Sequence, residues 1–143
     1  MATSYGTIIN VFLGKVSDYK LLSLLQEEAE EELIGYMKSA CATFKQSKED
    51  LNIRDDITQE FQSDLSDTVI DIITELMITQ WLKSQLYNTE LLESRLNSKD
   101  FTEYSPAKLI LEMRNLYEST LSRTRNMCIE YTYDYDEVAK TSS

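Results

Sequence analysis

Residues that form turns are scarce in this sequence, which contains three glycines and one proline among 143 residues. A β-rich domain needs many turns, and turns commonly use glycine and proline, so this scarcity favours long helices. The length is that of one domain, and 42% of the residues are hydrophobic, enough to supply one buried core. The sequence therefore predicts an all-α fold, a bundle of about four to five helices.

Apolar residues recur at steps of three and four along most of the chain, which is the spacing of one helix face. This periodicity predicts a short helix over residues 5–16 and a long one from about residue 18 to residue 44. The most apolar stretch follows Ser66, a residue type that caps helices, and predicts the central helix of the bundle. A short helix is predicted over residues 90–96, and Pro106 is placed to open the last helix.

After Asn126 the period changes from that of a helix to that of a strand. Alternate residues of MCIEYTYDYD fall on one side, namely Met127, Ile129, Tyr131, Tyr133 and Tyr135. Strands favour aromatic and β-branched residues, so the sequence predicts a helical domain over residues 1–126 and an extended C-terminal arm with a polar tail over residues 127–143. A lone strand must pair with a partner, which is the weak strand pattern of residues 51–53, a sibling subunit or another protein.

The five alternating residues are candidates for binding a protein partner. Tyrosine is enriched at protein interfaces, and tyrosines at alternate positions of an unpaired strand are typical of a recognition edge. The alternative interpretation is that the strand folds back on its own domain.

The chain is strongly acidic, with 14 Lys and Arg against 25 Asp and Glu and a net charge of −11. A nucleic-acid-binding protein needs a basic face, so this charge argues against that class. The densest run of acidic residues, five glutamates within residues 27–32, lies in the long predicted helix, and a candidate acidic face consists of Glu27, Glu28, Glu31 and Glu32. Crowded carboxylates on a helix surface are usually solvated, and the Glu-x-x-His pairs of a di-metal site are missing, so we predict no metal.

The sequence contains no histidine, which excludes Ser-His-Asp and Cys-His catalysis and imidazole metal sites. Cys41 and Cys128 form no C-x-x-C pair and are too few for a disulfide framework, which fits a reducing compartment. With neither a signal peptide nor a membrane span in the sequence, we expect a cytosolic, non-enzymatic protein without a cofactor. An enzyme stays an alternative class, because carboxylates and tyrosines can perform acid–base chemistry.

The order of the predicted elements resembles a known family. A short helix, a long acidic helix and a polar connector precede an apolar helix ending in QWLKSQLYNTELLESRL, a proline-capped helix YSPAKLILEMRNLYES and an extended tail. This layout is similar to that of the small helical head-to-tail connector, or adaptor, proteins of tailed bacteriophages. The resemblance covers most of the chain and lies in the layout, since that family has no sharp sequence motif.

The resemblance implies a structural protein of the virion neck, made in the host cytoplasm. Copies would form a homo-oligomeric ring, typically a dodecamer, that docks below the portal protein and extends the DNA channel toward tail or stopper proteins. Residues 127–136 would be the arm that grips the portal, and the acidic face would line the channel or join subunits. Acidic walls repel DNA, so DNA would pass without specific binding.

A second class of function remains open from the sequence. An acidic protein-interaction module, such as a DNA mimic that inhibits a nucleic-acid-binding partner, would also carry a large negative charge. A mimic needs its charges spread at phosphate-like spacing, whereas here the densest run, five glutamates within residues 27–32, lies in one predicted helix and bases interrupt the acids elsewhere.

Overall fold

The computed structural model describes residues 2–18, 30–96 and 106–141. Four helices occur within these ranges, namely α1 (Tyr5–Asp18), α2 (Glu30–Thr43), α3 (Asp67–Leu96) and α4 (Pro106–Thr141). Three two-residue strands accompany them, namely β1 (Thr3–Ser4), β2 (Arg54–Asp55) and β3 (Glu60–Phe61). The predicted all-α helical bundle is confirmed, with a small sheet added to it.

Helix α3 is the centre of the bundle, as its apolar sequence predicts. It packs against α1, α2 and α4, and nearly every residue from Val69 to Leu82 is buried. Trp81 is fully buried and meets Phe12 of α1 edge to face, with ring centroids 6.2 Å apart. Burying each large apolar side chain contributes about 1.5–3 kcal/mol, so α3 organises most of the stability of the fold.

The start of α3 follows the sequence signal. The backbone N–H of Val69 donates to Ser66 Oγ at 3.3 Å, which satisfies one of the unpaired N–H groups in the first turn. Ser66 is in turn held by Glu49, whose two carboxylate oxygens accept bonds from the Ser66 backbone N–H and hydroxyl at 2.8 and 2.9 Å. This double contact fastens the loop after α2 to the start of α3.

The end of α3 differs from the prediction. The helix continues without a break to Leu96, so a separate short helix over residues 90–96 is wrong. Thr89 lies inside this continuous helix, and its hydroxyl donates to the Gln85 carbonyl one turn earlier at 2.8 Å.

The start of the second predicted helix also differs. Asp18, where that helix was predicted to begin, is instead the last residue of α1. That helix was predicted from residue 18 to residue 44, and the part the structure describes, α2, begins at Glu30. Residues 19–29 lie outside the described ranges.

The three strands form one antiparallel sheet in the order β1-β3-β2, with Phe61 opposite both Thr3 and Arg54. Strands β2 and β3 make a hairpin whose turn includes Gln59 at a positive φ of 56°, an uncommon conformation for a residue other than glycine. The strand predicted over residues 51–53 lies just before the observed β2, and β1 and β3 are not predicted by the sequence.

The C-terminal strand predicted after Asn126 is wrong, because residues 127–141 are the last turns of α4. Thr120, Thr124 and Cys128 are spaced four residues apart and are all buried. The same face of the helix therefore packs on the bundle both before and after Asn126, where the strand was predicted to begin. This packing outweighs the strand preference of the aromatic and β-branched residues. The predicted boundary at residue 126 therefore falls inside a continuous helix.

Candidate interaction surface

The helical conformation divides the residues predicted to form one partner-binding edge. Met127 and Tyr131 pack against the hydrophobic core, whereas Ile129 and Tyr133 are 66% and 64% exposed. Residues four apart share a helix face, which explains why each pair stays together. Tyr135 belongs to α4, and its side chain lies outside the described part of the chain. The prediction that all these side chains point to one side is therefore wrong.

Tyr131 fastens α4 to the rest of the bundle. Its ring meets Phe44 edge to face with centroids 5.3 Å apart, and its hydroxyl oxygen accepts a bond from the Lys48 backbone N–H at 3.0 Å. Both partners lie at or after the end of α2. Tyr131 therefore holds the fold together and is not available to a partner.

The opposite side of α4 carries a small surface of mixed character, here called the outer patch and defined as Arg125, Ile129 and Tyr133. The three residues are spaced one turn apart and all are exposed. Leu111, which is 55% exposed, lies five turns before Ile129 and so on the same side of the helix. Tyrosine and arginine are the residue types most enriched where proteins bind each other.

A second exposed apolar side chain stands at the end of the β2–β3 hairpin. Ile57 is 94% exposed, and Asp55 and Asp56 beside it are also exposed. We call residues 55–58 the hairpin tip. The carboxylate of Asp55 accepts bonds from the backbone N–H groups of Ile57 at 2.8 Å and Thr58 at 3.3 Å, an arrangement that fixes the turn.

The hairpin tip is also tied to two helices through Asp56. Its Oδ1 accepts a bond from the Tyr5 hydroxyl at 2.7 Å and pairs with Lys38 Nζ at 2.9 Å. Burial, together with the nearby Asp56 carboxylate, raises the pKa of Tyr5 to about 12, whereas hydrogen bonds from Lys38 and Tyr5 lower the pKa of Asp56. The tip is therefore a fixed projection from the bundle.

The hairpin tip was not predicted from the sequence. The available signal is a single isoleucine placed after two aspartates in an otherwise polar connector. Aspartate is common in turns, and an apolar residue just after it is exposed if the turn projects from the fold. Two-residue strands are too short to show an alternating pattern, so the hairpin itself left no periodic signal.

The predicted acidic face is described in part. Glu31 and Glu32 are exposed in the first turn of α2, where negative charge interacts favourably with the helix dipole. Glu27 and Glu28 lie outside the described residues. Within the described ranges, no group of three or more His, Cys, Asp or Glu side chains could hold a metal ion.

An ionic cluster centred on one buried carboxylate links three helices. Glu75 of α3 is 6% exposed, and its two carboxylate oxygens contact Lys15 Nζ of α1 at 3.0 Å and Arg123 Nη2 of α4 at 3.2 Å. Lys15 also pairs with Asp71, one turn before Glu75. The central helix was predicted from its apolar residues alone, and the sequence does not identify this cluster.

The two cysteines are buried and unpaired. Burial raises the pKa of the Cys41 thiol to about 11 and also raises the pKa of Cys128. Because the thiolate is the reactive form, these shifts keep both thiols protonated and poorly reactive at neutral pH. Cys128 therefore serves as a small apolar side chain that packs α4 on the core.

Two surface depressions among the described residues are open. One of 450 Å³ lies between the end of α2 and the loop that follows, and another of 440 Å³ lies between α2 and α3 beside Tyr36 and Lys83. In the described ranges, no helix is long and apolar enough to cross a membrane.

Comparison with protein-family models, with curated proteins and with solved structures finds no match to this chain.

Proposed function

We propose that this chain is a structural subunit of the neck of a tailed bacteriophage, a head-to-tail connector that binds copies of itself and the portal protein. The observation that carries the proposal is the outer patch, in which Ile129 and Tyr133 are largely exposed although the core beneath them is already closed by Met127 and Tyr131. Adjacent exposed apolar side chains with an arginine beside them are typical of a protein contact.

The order of the helices supports this function. A short α1, an acidic start of α2, a polar connector, an apolar α3 and a proline-started α4 follow one another as in the connector layout. The extended arm of that layout is replaced here by the last turns of α4. We therefore assign the contact with the portal to the outer face of a helix, with no strand added to a sheet.

The charge supports the passage of DNA through such a ring. The chain has a net charge of −11, and Glu31 and Glu32 are exposed on α2. A channel wall of this sign repels the phosphate backbone, and the repulsion acts over roughly 8–10 Å at physiological salt. We assign the exposed acidic residues of α2 to the channel lining or to a subunit contact, with tail or stopper proteins on the far side of the ring.

The test is electron microscopy of the purified chain mixed with the portal protein of the virus that encodes it. We expect a second ring stacked on one end of the portal. A double variant, Ile129→Ser with Tyr133→Ser, should remove the second ring while leaving the fold intact, because both side chains are exposed. Portals without an added ring, together with a monomer that binds a basic DNA-binding protein in a salt-sensitive way, would contradict the proposal and support a DNA mimic.

A further inference from the structure

We propose that Glu75 fixes the register of α4, meaning its lengthwise position along α3, and excludes the packing positions one helical turn to either side. Among the residues whose burial the structure describes, Glu75 is the one charged residue that is buried. This role is independent of what the outer patch binds.

The carboxylate of Glu75 is held between two other helices. Its Oε1 accepts a hydrogen bond from Lys15 Nζ of α1 at 3.0 Å, and its Oε2 accepts one from Arg123 Nη2 of α4 at 3.2 Å. Lys15 Nζ also donates to the backbone carbonyl of Asp71 at 3.3 Å, one turn earlier on α3. The lysine therefore orients the carboxylate, so that Oε2 faces one level of α4.

The side of α4 that packs on the bundle nearly repeats itself from one turn to the next. Thr120 and Thr124 are both buried, and Tyr131, which packs on the core, is followed four residues later by Tyr135. If α4 slid by one turn, about 5.4 Å, Thr124 would take the place of Thr120 and Tyr135 that of Tyr131. Packing of these side chains therefore distinguishes poorly between neighbouring registers.

Arg123 is the feature of this side of α4 that does not repeat. The residues one turn away are Ser119 and Thr120 before it, and Asn126 and Met127 after it. None of these four residues carries a positive charge, so a slide of one turn in either direction would replace the arginine by a neutral side chain. Removing one partner of a buried carboxylate is strongly unfavourable, which excludes both neighbouring registers.

A buried charge with this role makes the fold specific at some cost in stability. Apolar residues of similar volume often stabilise a protein as much as a buried ion pair, or more, because they need no desolvation of charge. A single polar residue at a buried position of a coiled coil fixes the register in a comparable way. The register of α4 in turn determines where the outer patch lies, because a slide of one turn would move the patch by about 5.4 Å along the bundle.

The experiment moves the cation of α4 by one turn in the full-length chain. In this relocated-cation variant, Arg123→Met with Met127→Arg, the new arginine lies level with Glu75 when α4 slides by four residues. Residue 117 would then lie where residue 113 lies in the native register. Thr89 of α3 marks that level, since its Oγ1 is 3.9 Å from Met113 Sδ.

Engineered disulfides report the register. Thr89→Cys with Met113→Cys reports the native register, and Thr89→Cys with Tyr117→Cys reports the register shifted by one turn. Oxidation with copper phenanthroline followed by peptide mass spectrometry identifies the pair that forms, and the native thiols do not compete because they are buried and protonated. The otherwise unchanged chain should cross-link the first pair alone, whereas the relocated-cation variant should also cross-link the second.

The matched control moves a cation by the same distance on the exposed side of α4. Arg125→Met with Ile129→Arg should keep the native cross-link alone, because both residues are exposed and do not face Glu75. Far-UV circular dichroism should show equal helix content in the control and in the relocated-cation variant.

A second variant removes the ionic contacts without moving them. In this apolar variant, Lys15→Met, Glu75→Met and Arg123→Met are combined. The helix content should be retained, the midpoint of urea denaturation should be equal to or higher than that of the wild type, and both cysteine pairs should cross-link. The apolar variant decides the question if the relocated-cation variant loses helix content.

Two outcomes would overturn the role of Glu75. Cross-linking of the native pair alone in either variant, with its helix content intact, would show that other contacts, such as that of Tyr131 with Phe44, fix the register. Loss of helix content in the apolar variant would show that the ionic contacts are needed for stability and not for the register.

Discussion

Arg123 on α4 places Nη2 3.2 Å from Oε2 of Glu75, a carboxylate buried inside α3. The other oxygen of Glu75 accepts a hydrogen bond from Lys15 of α1 at 3.0 Å. One carboxylate therefore links three helices, and the link depends on all of them being in place. Removing one partner of a buried ionic contact lowers the free energy of unfolding by more than the contact adds to it, because the remaining charges stay partly desolvated.

Replacing Glu75 by alanine should lower the free energy of unfolding by about 3 kcal/mol, because the mostly buried Lys15 loses one of its carboxylate partners. Urea denaturation followed by the fluorescence of Trp81, the single tryptophan, measures the change. Asp71→Ala is the control, since Asp71 is more than half exposed and should cost less than about 1 kcal/mol. Equal losses in the two variants would contradict the buried cluster.

The two neighbouring tyrosines of α4 should respond differently to truncation. Tyr131→Ala removes the contact with Phe44 and the acceptor for the Lys48 N–H, and should cost about 2 kcal/mol. Tyr133→Ala should change the free energy of unfolding by less than about 0.5 kcal/mol, because its side chain is 64% exposed. Chemical denaturation of the pair is the measurement. A strand with both tyrosines on one side would instead give similar losses.

The helices could be predicted from the sequence where local signals coincide. These signals determine the structure of residues close to them in sequence. They are the N-cap at Ser66, the proline at position 106 and the apolar residues of α3. The last turns of α4 could not be predicted, because alternating tyrosines are compatible with a strand as well as with a helix. The deciding interactions, Cys128 and Tyr131 on the core, come from residues distant in sequence.

The candidate site could be predicted only in part, because its geometry also depends on contacts between residues distant in sequence. The sequence singled out the C-terminal segment as a candidate for binding a partner, and in the structure the helix leaves Ile129 and Tyr133 exposed and packs Tyr131 on the core. The hairpin tip depends on β3 pairing with β1 near the N-terminus, a contact that local patterns do not contain.

The phenol of Tyr5 should make stability depend on pH in the alkaline range. Its pKa is raised from 10.0 to about 12, so the folded state holds the proton more tightly than the unfolded chain. The contribution of Tyr5 is therefore complete below about pH 10 and is lost as the pH rises toward 12. Urea denaturation at several pH values should show a steeper fall in the free energy of unfolding for the wild type than for Tyr5→Phe. Equal slopes would contradict this effect.

The N-cap of α3 should make a measurable contribution to stability. Ser66→Ala removes the acceptor for the Val69 N–H and the hydroxyl bond to Glu49, and should cost about 1 kcal/mol. Ser119→Ala is a suitable control, because Ser119 is an exposed residue inside α4 and alanine is a better helix former. Thermal denaturation should show a lower Tm for the Ser66 variant and no loss for the control.

The most direct measurement is the mass of the particle in solution, because the proposed neck function requires copies of the chain to associate. We predict that native mass measurements over a range of concentrations, alone and with the portal protein, give multiples of the 16.6 kDa subunit with a closed ring as the largest species. A mass of 16.6 kDa at every concentration, with and without the portal protein, would show that copies do not associate and would overturn the proposed neck function.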